Sequence, residues 1–231
     1  MHHHADLVTT LNHDVAFLHT ASVHIPTFQR IVDTIDPSVK VRHDVCENLL
    51  SEALAHGITA KLAGEIDNAM AAASHTGAKV VVCTCSTIGG VAENSPQTDS
   101  TVSMRIDRAM ADLAVETSDN ILIVAAVEST LKPTRELLQA SSANAGKSPS
   151  LSLELIPGAW PFFEMGKMDE YYECIEKYIR QQHAAYDSVV LAQASMAPTA
   201  NRFVDSAIRV LASPELGVRS AIEQIRAIPV M

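Results

Sequence analysis

The chain has 231 residues, of which 47% are hydrophobic and 19% charged, a balance typical of a folded protein rather than a disordered one. Its formal net charge of -10 argues against nucleic acid or an anionic membrane surface as a partner, because both are bound mainly through Lys and Arg. No apolar run approaches the roughly 20 residues of a membrane span. The first residues lack the regions of a signal peptide, and four cysteines are too few for a disulfide framework. We therefore expect a cytoplasmic protein.

Short apolar runs alternate with segments of helical spacing along the chain. Helical spacing of apolar residues occurs at 66–73 and 171–179, and a terminal helix is predicted over 218–228. The alternation predicts right-handed crossovers and a mostly parallel sheet of an α/β protein. The predicted strands, in chain order, are Val15–Leu18, Val39–Val45, Val80–Cys83, Val102–Ile106, Ile121–Val124, Leu151–Ile156 and Val189–Ala192.

Two segments of the first half resemble segments of the second half at nearly the same offset. The run at 14–18 followed by Pro26 resembles the run at 120–124 followed by Pro133, 107 residues later. The run that ends in Cys85 resembles the one that ends in Gln193, 108 residues later. This pattern predicts a duplicated α/β unit whose two lobes face each other across a pseudo-dyad. Cys85 and Gln193 would then meet at one cleft.

Cys85 is the residue with the clearest chemical signal. It follows a β-branched strand and precedes Ser86, Thr87 and a Gly pair, which indicates a loop at the strand's carboxyl end. Open α/β sheets bind their ligands at that end, and a thiol there is suited to act as a base or a nucleophile. The alternative is a buried structural cysteine, and that is our prediction for Cys83. Cys83 and Cys85 could form part of a metal site, but the remaining ligands are not evident nearby, so we expect no metal.

The duplicated lobes and the Cys85-Ser86-Thr87 turn resemble the aspartate/glutamate/hydantoin racemase superfamily, which includes maleate isomerases and arylmalonate decarboxylases. The first-lobe pattern of that group is Cys-Asn-Thr, and the segment 191–195, Leu-Ala-Gln-Ala-Ser, lies where its second lobe reads Leu-Ala-Cys-Thr. The resemblance implies two flavodoxin-like lobes with a ligand cleft between them. We expect residues 1–117 plus 218–231 to form the first lobe and 118–217 the second.

The resemblance also implies cofactor-free chemistry at the carbon next to a carboxylate. Family racemases place one thiol on each face of that carbon, and the turns hold the carboxylate and stabilise its enediolate. Here Gln193 replaces the second thiol, and an amide is neither acid nor base near neutral pH. Two-thiol racemisation is therefore in doubt, and one-sided chemistry such as decarboxylation or isomerisation remains open.

Other residues are assigned to the site on weaker grounds. Ser86 and Thr87 are expected to bind the carboxylate, with a turn or cap role as the alternative. His19 could be a proton partner of Cys85, or else a structural hydrogen bonder. Thr20 ends the first strand with His19. Ser129 and Thr130 are the repeat-related positions in the second lobe and are expected to hold the far end of the substrate. The opposite wall is expected to comprise Gln193, Ala194 and Ser195.

Three further features carry open alternatives. Asp107 is expected to cap the helix that follows it, and Arg105 to form a surface ion pair rather than bind a second carboxylate. No sequence motif assigns a functional role to His43. The aromatic segment 158–163 is a lid, a dimer contact or a core-anchored loop.

The sequence, together with this resemblance, predicts a cofactor-independent isomerase or racemase-type enzyme that acts on a small carboxylate through an enediolate. A homodimer is the expected oligomer. A one-thiol decarboxylase is the first alternative. A non-catalytic carboxylate-binding protein on the same scaffold is the second. The triplet His2–His4 is not taken as a metal site, because an affinity tag leaves such a triplet.

Overall fold

The computed structural model describes residues 13–96 and 101–228 and contains two parallel four-stranded sheets. The predictions that concern His2–His4 and residues 229–231 lie outside these ranges. The first sheet has the order β2-β1-β3-β4, with β1 (Val15–His19), β2 (Val41–Val45), β3 (Val80–Cys83) and β4 (Val102–Arg105). The second has the order β6-β5-β7-β8, with β5 (Asn120–Ala125), β6 (Ser150–Leu155), β7 (Ser188–Leu191) and β8 (Arg209–Ala212). The predicted α/β fold, with two similar lobes that each contain a parallel sheet, is confirmed.

The helices of the described ranges connect these strands. None of them is long and apolar enough to cross a lipid bilayer. They are α1 (Ile25–Ile35), α2 (Glu47–His56), α3 (Ala60–Ser74), α4 (Ser86–Glu93), α5 (Arg108–Thr117), α6 (Leu131–Ala145), α7 (Ala159–Glu164), α8 (Met168–Gln182), α9 (Ala197–Ala200) and α10 (Ser213–Ala227). Short 3-10 turns follow β1, β5 and β7 at Ser22–His24, Glu128–Thr130 and Ala194–Met196.

All seven predicted strands are present, and β8 is one that the sequence analysis missed. It has only four residues, Arg-Val-Leu-Ala, and lies at an edge of its sheet with a single buried side chain, Leu211. A short, half-exposed edge strand has neither a continuous apolar run nor an alternation long enough to recognise.

The two lobes repeat each other at the level of backbone hydrogen bonds. The amide of Thr84 donates to the carbonyl of Leu18 at 3.0 Å, and the amide of Ala192 donates to that of Val124 at 3.0 Å. The residue after each donor, Cys85 in one lobe and Gln193 in the other, is the N-cap of the helical turn that follows its strand. Cys85 and Gln193 are therefore structurally equivalent positions.

The helix that follows the last strand of each sheet packs on the other sheet. The apolar face of α5 joins Ile121, Ile123 and Val190 of the second sheet, and that of α10 joins Phe17 and Val82 of the first. The helix residues involved are Met110, Ala111, Ala114 and Val115 in α5, and Val218, Ala221, Ile222 and Ile225 in α10. The lobe boundaries near 117 and 218 stay predictions. The helix α10 packs on the first sheet, as the assignment of 218–231 to the first lobe anticipates. The helix α5, which was also assigned to the first lobe, packs on the second sheet.

Candidate active site

A cavity of about 110 Å³ lies where the carboxyl ends of β1 and β3 face those of β5 and β7. This is the end at which open α/β sheets bind ligands. This volume is smaller than the about 150 Å³ of an engineered cavity that holds benzene, so the enclosed space admits only a small molecule. Nine residues of the predicted site line it: Thr20, Cys85, Ser86, Thr87, Ser129, Thr130, Gln193, Ala194 and Ser195. Tertiary folding thus brings together residues that are up to 175 positions apart.

Cys85 lies at the junction between β3 and α4. It is the N-cap residue of α4 and is half-buried at the cavity wall. The first amides of a helix have no partner within the helix, and they carry the positive end of its dipole. A carboxylate beside Cys85 would therefore meet backbone donors and a favourable field. Cys83 is fully buried in the core, as predicted, and burial raises the pKa of its thiol.

The hydroxyl of Ser86 connects the two lobes. Its Oγ donates a hydrogen bond of 2.9 Å to the carbonyl oxygen of Ala192, which follows β7 in the second lobe. The single proton of this hydroxyl is thus engaged within the protein. The half-buried Thr87 also lines the cavity, and its hydroxyl makes no such hydrogen bond among the described residues.

Gln193 is oriented by the loop that follows β5. Its Oε1 accepts hydrogen bonds from the amides of Ala126 at 2.6 Å and Val127 at 3.2 Å. Two amide donors identify this end of the side chain as the oxygen, so the NH₂ group is the end left to donate to a ligand. Gln193 contributes a neutral hydrogen-bond donor at the position that is equivalent to Cys85.

Two of the other predicted residues of the second lobe, Thr130 and Ser195, are held by hydrogen bonds within the protein. The hydroxyl of Thr130 donates to the carbonyl of Val127 at 2.8 Å, and Ser195 Oγ lies 3.1 Å from the hydroxyl of Tyr171. Tyr171 is fully buried, and burial raises the pKa of its phenol. Ser195 is therefore positioned by a buried, neutral tyrosine.

His19 lies behind the cavity wall rather than in it. Its ring is fully buried; Nδ1 lies 2.9 Å from Thr84 Oγ1, and Nε2 lies 2.8 Å from His43 Nδ1. Burial, together with the charge that His43 and His24 would carry, lowers the pKa of His19 from 6.5 to about 3. Of these residues Thr84 lines the cavity, so His19 reaches it only through that hydroxyl.

The side chains of Thr84, His19, His43 and Gln29 form a chain of hydrogen bonds that starts at the cavity wall, and its end at Gln29 determines which ring nitrogens carry the protons. His43 Nε2 lies 3.2 Å from Gln29 Oε1, which can only accept a hydrogen bond. His43 therefore donates from Nε2 and accepts at Nδ1, so His19 donates from Nε2. Its Nδ1 then accepts from the hydroxyl of Thr84 at 2.9 Å, in preference to the carbonyl oxygen of Leu18, which lies 3.2 Å from the same hydroxyl. All three donors run from the cavity wall toward Gln29.

The sequence analysis missed His24 and the apolar part of the wall. His24 lies in the 3-10 turn after β1 and lines the cavity, and burial lowers its pKa below the usual 6.5. The sequence did contain a sign of this role, because His24 follows the carboxyl end of a predicted strand, where ligands bind in open α/β sheets. The segment 158–163, predicted as a lid, a dimer contact or an anchored loop, forms the short helix α7. Two of its rings, Trp160 and Phe163, line the cavity.

Arg105 and Asp107 form a buried ion pair, which corrects two predictions. Arg105 Nε and Nη2 donate to the two carboxylate oxygens of Asp107 at 2.6 and 3.0 Å, and the side chains are only 4% and 2% exposed. The pair is thus not on the surface, and the Asp107 carboxylate does not cap α5. Arg105 also donates to the carbonyl of Ser86 at 3.4 Å, which places the pair beneath the turn that carries Cys85.

Comparisons with known proteins identify the fold. No protein-family model matches the sequence, and no curated protein matches it. Solved structures do match. A candidate Asp/Glu racemase from Yersinia pestis is 14% identical with a TM-score of 0.71, covering 92% of this chain and 98% of that one.

Two other matches come from further racemase types. A glutamate racemase from Francisella tularensis, solved in complex with D-glutamate, is 10% identical with a TM-score of 0.66 over 94% of this chain and 82% of that one. An allantoin racemase from Klebsiella pneumoniae is 14% identical with a TM-score of 0.61 over 94% and 89%. The chain has the two-lobed fold of these racemases.

Proposed function

We propose that this protein is a cofactor-independent enzyme that acts at the α-carbon of a small carboxylic acid through an enediolate, with Cys85 as the proton-transferring thiol. The observation that carries the proposal is the position of Cys85, at the first turn of α4 and at the wall of a cavity between two racemase-like lobes. A carboxylate at the turn would be bound by backbone amides and by the hydroxyl of Thr87. The same donors stabilise the enediolate as charge moves onto the carboxylate oxygens.

The identity of Gln193 favours one-sided chemistry. The amide is neutral and is held by Ala126 and Val127, so the wall opposite Cys85 offers a hydrogen-bond donor and not a second thiol. In a decarboxylation of an acid with two carboxylates on the α-carbon, the bond between that carbon and one carboxylate breaks and CO₂ departs. The electron pair of the broken bond then forms the enediolate of the carboxylate that remains bound. The thiol of Cys85 then protonates the α-carbon and is itself reprotonated by solvent. Each step of this sequence needs only one ionisable group.

His24 is the group that would make two-sided chemistry possible. It is the other titratable side chain among the described residues that line the cavity, and its lowered pKa leaves the ring neutral near pH 7. A neutral imidazole can accept a proton from the α-carbon. Racemisation in this protein would therefore use Cys85 with His24 rather than two thiols, whereas His19 stays behind Thr84.

The test is proton NMR of small α-substituted mono- and dicarboxylic acids in deuterated water. We expect the wild type to exchange the α-proton or release CO₂ for at least one acid, and Cys85→Ala to lose at least a hundredfold of that rate because a general acid or base contributes this much. Cys174→Ala, outside the cavity lining, is the control and should keep the wild-type rate.

The outcomes separate the alternatives. Full activity in Cys85→Ala would contradict the proposal. Binding of acids without any exchange or CO₂ release would indicate a non-catalytic carboxylate-binding protein. Exchange with inversion that His24→Gln abolishes would indicate the two-sided reaction, and inversion that survives in His24→Gln would exclude His24 as the second base.

A further inference from the structure

The side chains behind the cavity wall have the chemistry of a proton path. The hydroxyl of Thr84 and the rings of His19 and His43 follow one another, with 2.9 Å from Thr84 Oγ1 to His19 Nδ1 and 2.8 Å from His19 Nε2 to His43 Nδ1. A hydroxyl and a neutral imidazole can each accept one proton while donating another. A proton can therefore pass along these three groups while their heavy atoms stay in place.

The path connects the cavity with the surface. At one end, Thr84 lines the cavity beside Cys85. At the other end, His43 is half-buried on β2, an edge strand of the first sheet. Between them the ring of His19 is fully buried, so it exchanges protons only with the groups that it contacts. The path thus joins two regions that water reaches from different sides.

The direction of the hydrogen bonds is set by Gln29. Its Nε2 donates to Asp33 Oδ1 at 2.8 Å, so its Oε1 is the atom that lies 3.2 Å from His43 Nε2. Both rings then carry their proton on Nε2, and every donor points away from the cavity. In this arrangement the path can take up a proton at Thr84 and release one at His43.

The opposite arrangement of protons is also provided for. After one proton has passed outward, His19 carries its proton on Nδ1 and donates it to Thr84 Oγ1. The hydroxyl of Thr84 then donates to the carbonyl oxygen of Leu18, which lies 3.2 Å away. Only the bond at the half-buried end, between His43 and Gln29, is given up, and water can replace it there. Neither arrangement leaves a buried polar group without a partner, which would be costly.

We propose that Thr84, His19 and His43 form a relay that carries protons between the cavity and solvent. The inference rests on the proposed function only in naming Cys85 as the group that the relay serves. Starting from the arrangement in the structure, the relay carries outward a proton that Cys85 has removed from an acid. Each group passes on its own proton as it accepts the next, and His43 releases one to solvent.

The return step restores the proton of Cys85 after the thiol has protonated the α-carbon. The thiolate takes the hydroxyl proton of Thr84, and Thr84 Oγ1 takes the proton of His19 Nδ1. His19 Nε2 takes the proton of His43 Nδ1, and His43 Nε2 takes one from solvent. One proton enters and one leaves in each direction, so a cavity filled by ligand need not admit water. His19 and His43 act through Thr84 and are positioning residues.

The test follows the Nε2 proton of His19 by NMR in the free protein, so it needs no substrate. Histidine is isotopically labelled, and exchange of this proton with deuterated water is timed. We expect Thr84→Ser to exchange at the wild-type rate. Thr84→Val keeps the shape of the side chain without the hydroxyl and should exchange at least tenfold more slowly. His43→Gln should be as slow, because an amide accepts a proton from His19 in a hydrogen bond but does not pass one on.

A purely structural role of these residues predicts the opposite sign. A buried proton outside a relay exchanges when the protein opens, and a destabilised variant opens more often. Val82→Ala, which destabilises the same sheet outside the relay, is the control and should keep the wild-type exchange rate. The inference is overturned if Thr84→Val exchanges as fast as the wild type or faster, or if His19 carries its proton on Nδ1 in the free wild-type protein.

Turnover tests the connection with Cys85. For an acid that the wild type exchanges or decarboxylates, Thr84→Val should be at least tenfold slower than Thr84→Ser. Equal turnover by these two variants would refute a role of the relay in the reaction. Failure of the proposed function looks different: no acid would be turned over, while the His19 proton would still exchange in a way that requires the hydroxyl of Thr84.

Discussion

At the scale of single residues, burial determines which titratable groups of the cavity region carry charge. His19 has no solvent contact, and its hydrogen bonds to Thr84 and His43 can all be made by a neutral ring. Its pKa of about 3 therefore reflects the cost of placing a cation in the interior. A fixed neutral imidazole orients the hydroxyl of Thr84, the residue before Cys85, at the cavity wall.

This histidine makes the stability of the protein depend on pH. Below pH 6.5 the unfolded chain takes up a proton at His19 that the folded protein does not bind until about pH 3, so the free energy of unfolding falls as the pH falls through this window. One such group contributes a slope of up to about 1.4 kcal/mol per pH unit. His19→Gln should reduce the slope between pH 6 and pH 4 by about that amount in urea titrations.

The control for this measurement is a variant that is destabilised without a change in titration. Val82→Ala removes two buried methyl groups and should lower the free energy of unfolding at every pH with the wild-type slope. His24 and His43, whose pKa values burial also lowers, should leave part of the slope in His19→Gln. An unchanged slope in His19→Gln would contradict a buried, neutral His19.

At the scale of helices and strands, α10 packs so closely against the first lobe that one of its positions requires glycine. A Cβ at Gly217 would lie 2.1 Å from the carbonyl oxygen of Ile106 and 2.5 Å from its Cδ1. Helix interiors normally disfavour glycine, so here the close contact between α10 and the end of β4 is what requires it. In α3, by contrast, a Cβ at the exposed Gly64 would meet no atom within 4 Å.

These two glycines should respond oppositely to the same substitution. Gly217→Ala should destabilise the protein by about 1–3 kcal/mol, because backbone atoms must move apart. Gly64→Ala should stabilise it by about 0.5–1 kcal/mol through the helix propensity of alanine. Denaturation midpoints in urea measure both. Equal effects of the two substitutions would show that α10 is not packed against Ile106 in solution.

At the scale of the whole molecule, the reciprocal placement of α5 and α10 joins the two lobes. Each helix follows the last strand of one sheet and buries its apolar face on the other. The hydrogen bond from Ser86 to Ala192 adds a direct connection at the cavity. One face of each sheet is covered jointly by a helix of its own half, α1 or α6, and by the helix that the other half contributes, so we expect the lobes to unfold together.

The single tryptophan makes this testable. Trp160 lies in the second lobe, whereas Val82 is buried in the first. Val82→Ala should lower the free energy of unfolding by about 2 kcal/mol. It should shift the urea midpoint equally for Trp160 fluorescence and for far-UV circular dichroism. Val204→Ala, at a 76% exposed position, should shift neither. A fluorescence midpoint that Val82→Ala leaves unchanged would mean that the lobes unfold independently.

The sequence by itself determined the strands, the duplication and the place of Cys85. Runs such as Val80–Cys83 and the turn that follows them are local patterns, and the carboxyl ends of parallel strands necessarily lie at one edge. That is why all the predicted binding residues reached the cavity. The short edge strand β8 has no comparable local signal, so only pairing with β7 revealed it.

Tertiary structure alone decided which side chains face the cavity and which are buried behind it. His19 and His24 are both polar residues near the end of β1, and only packing places one behind Thr84 and the other in the wall. Arg105 and Asp107 are two residues apart in the sequence, yet their burial depends on α4 lying across them. Exposure is set by contacts between distant segments, so a local pattern cannot specify it.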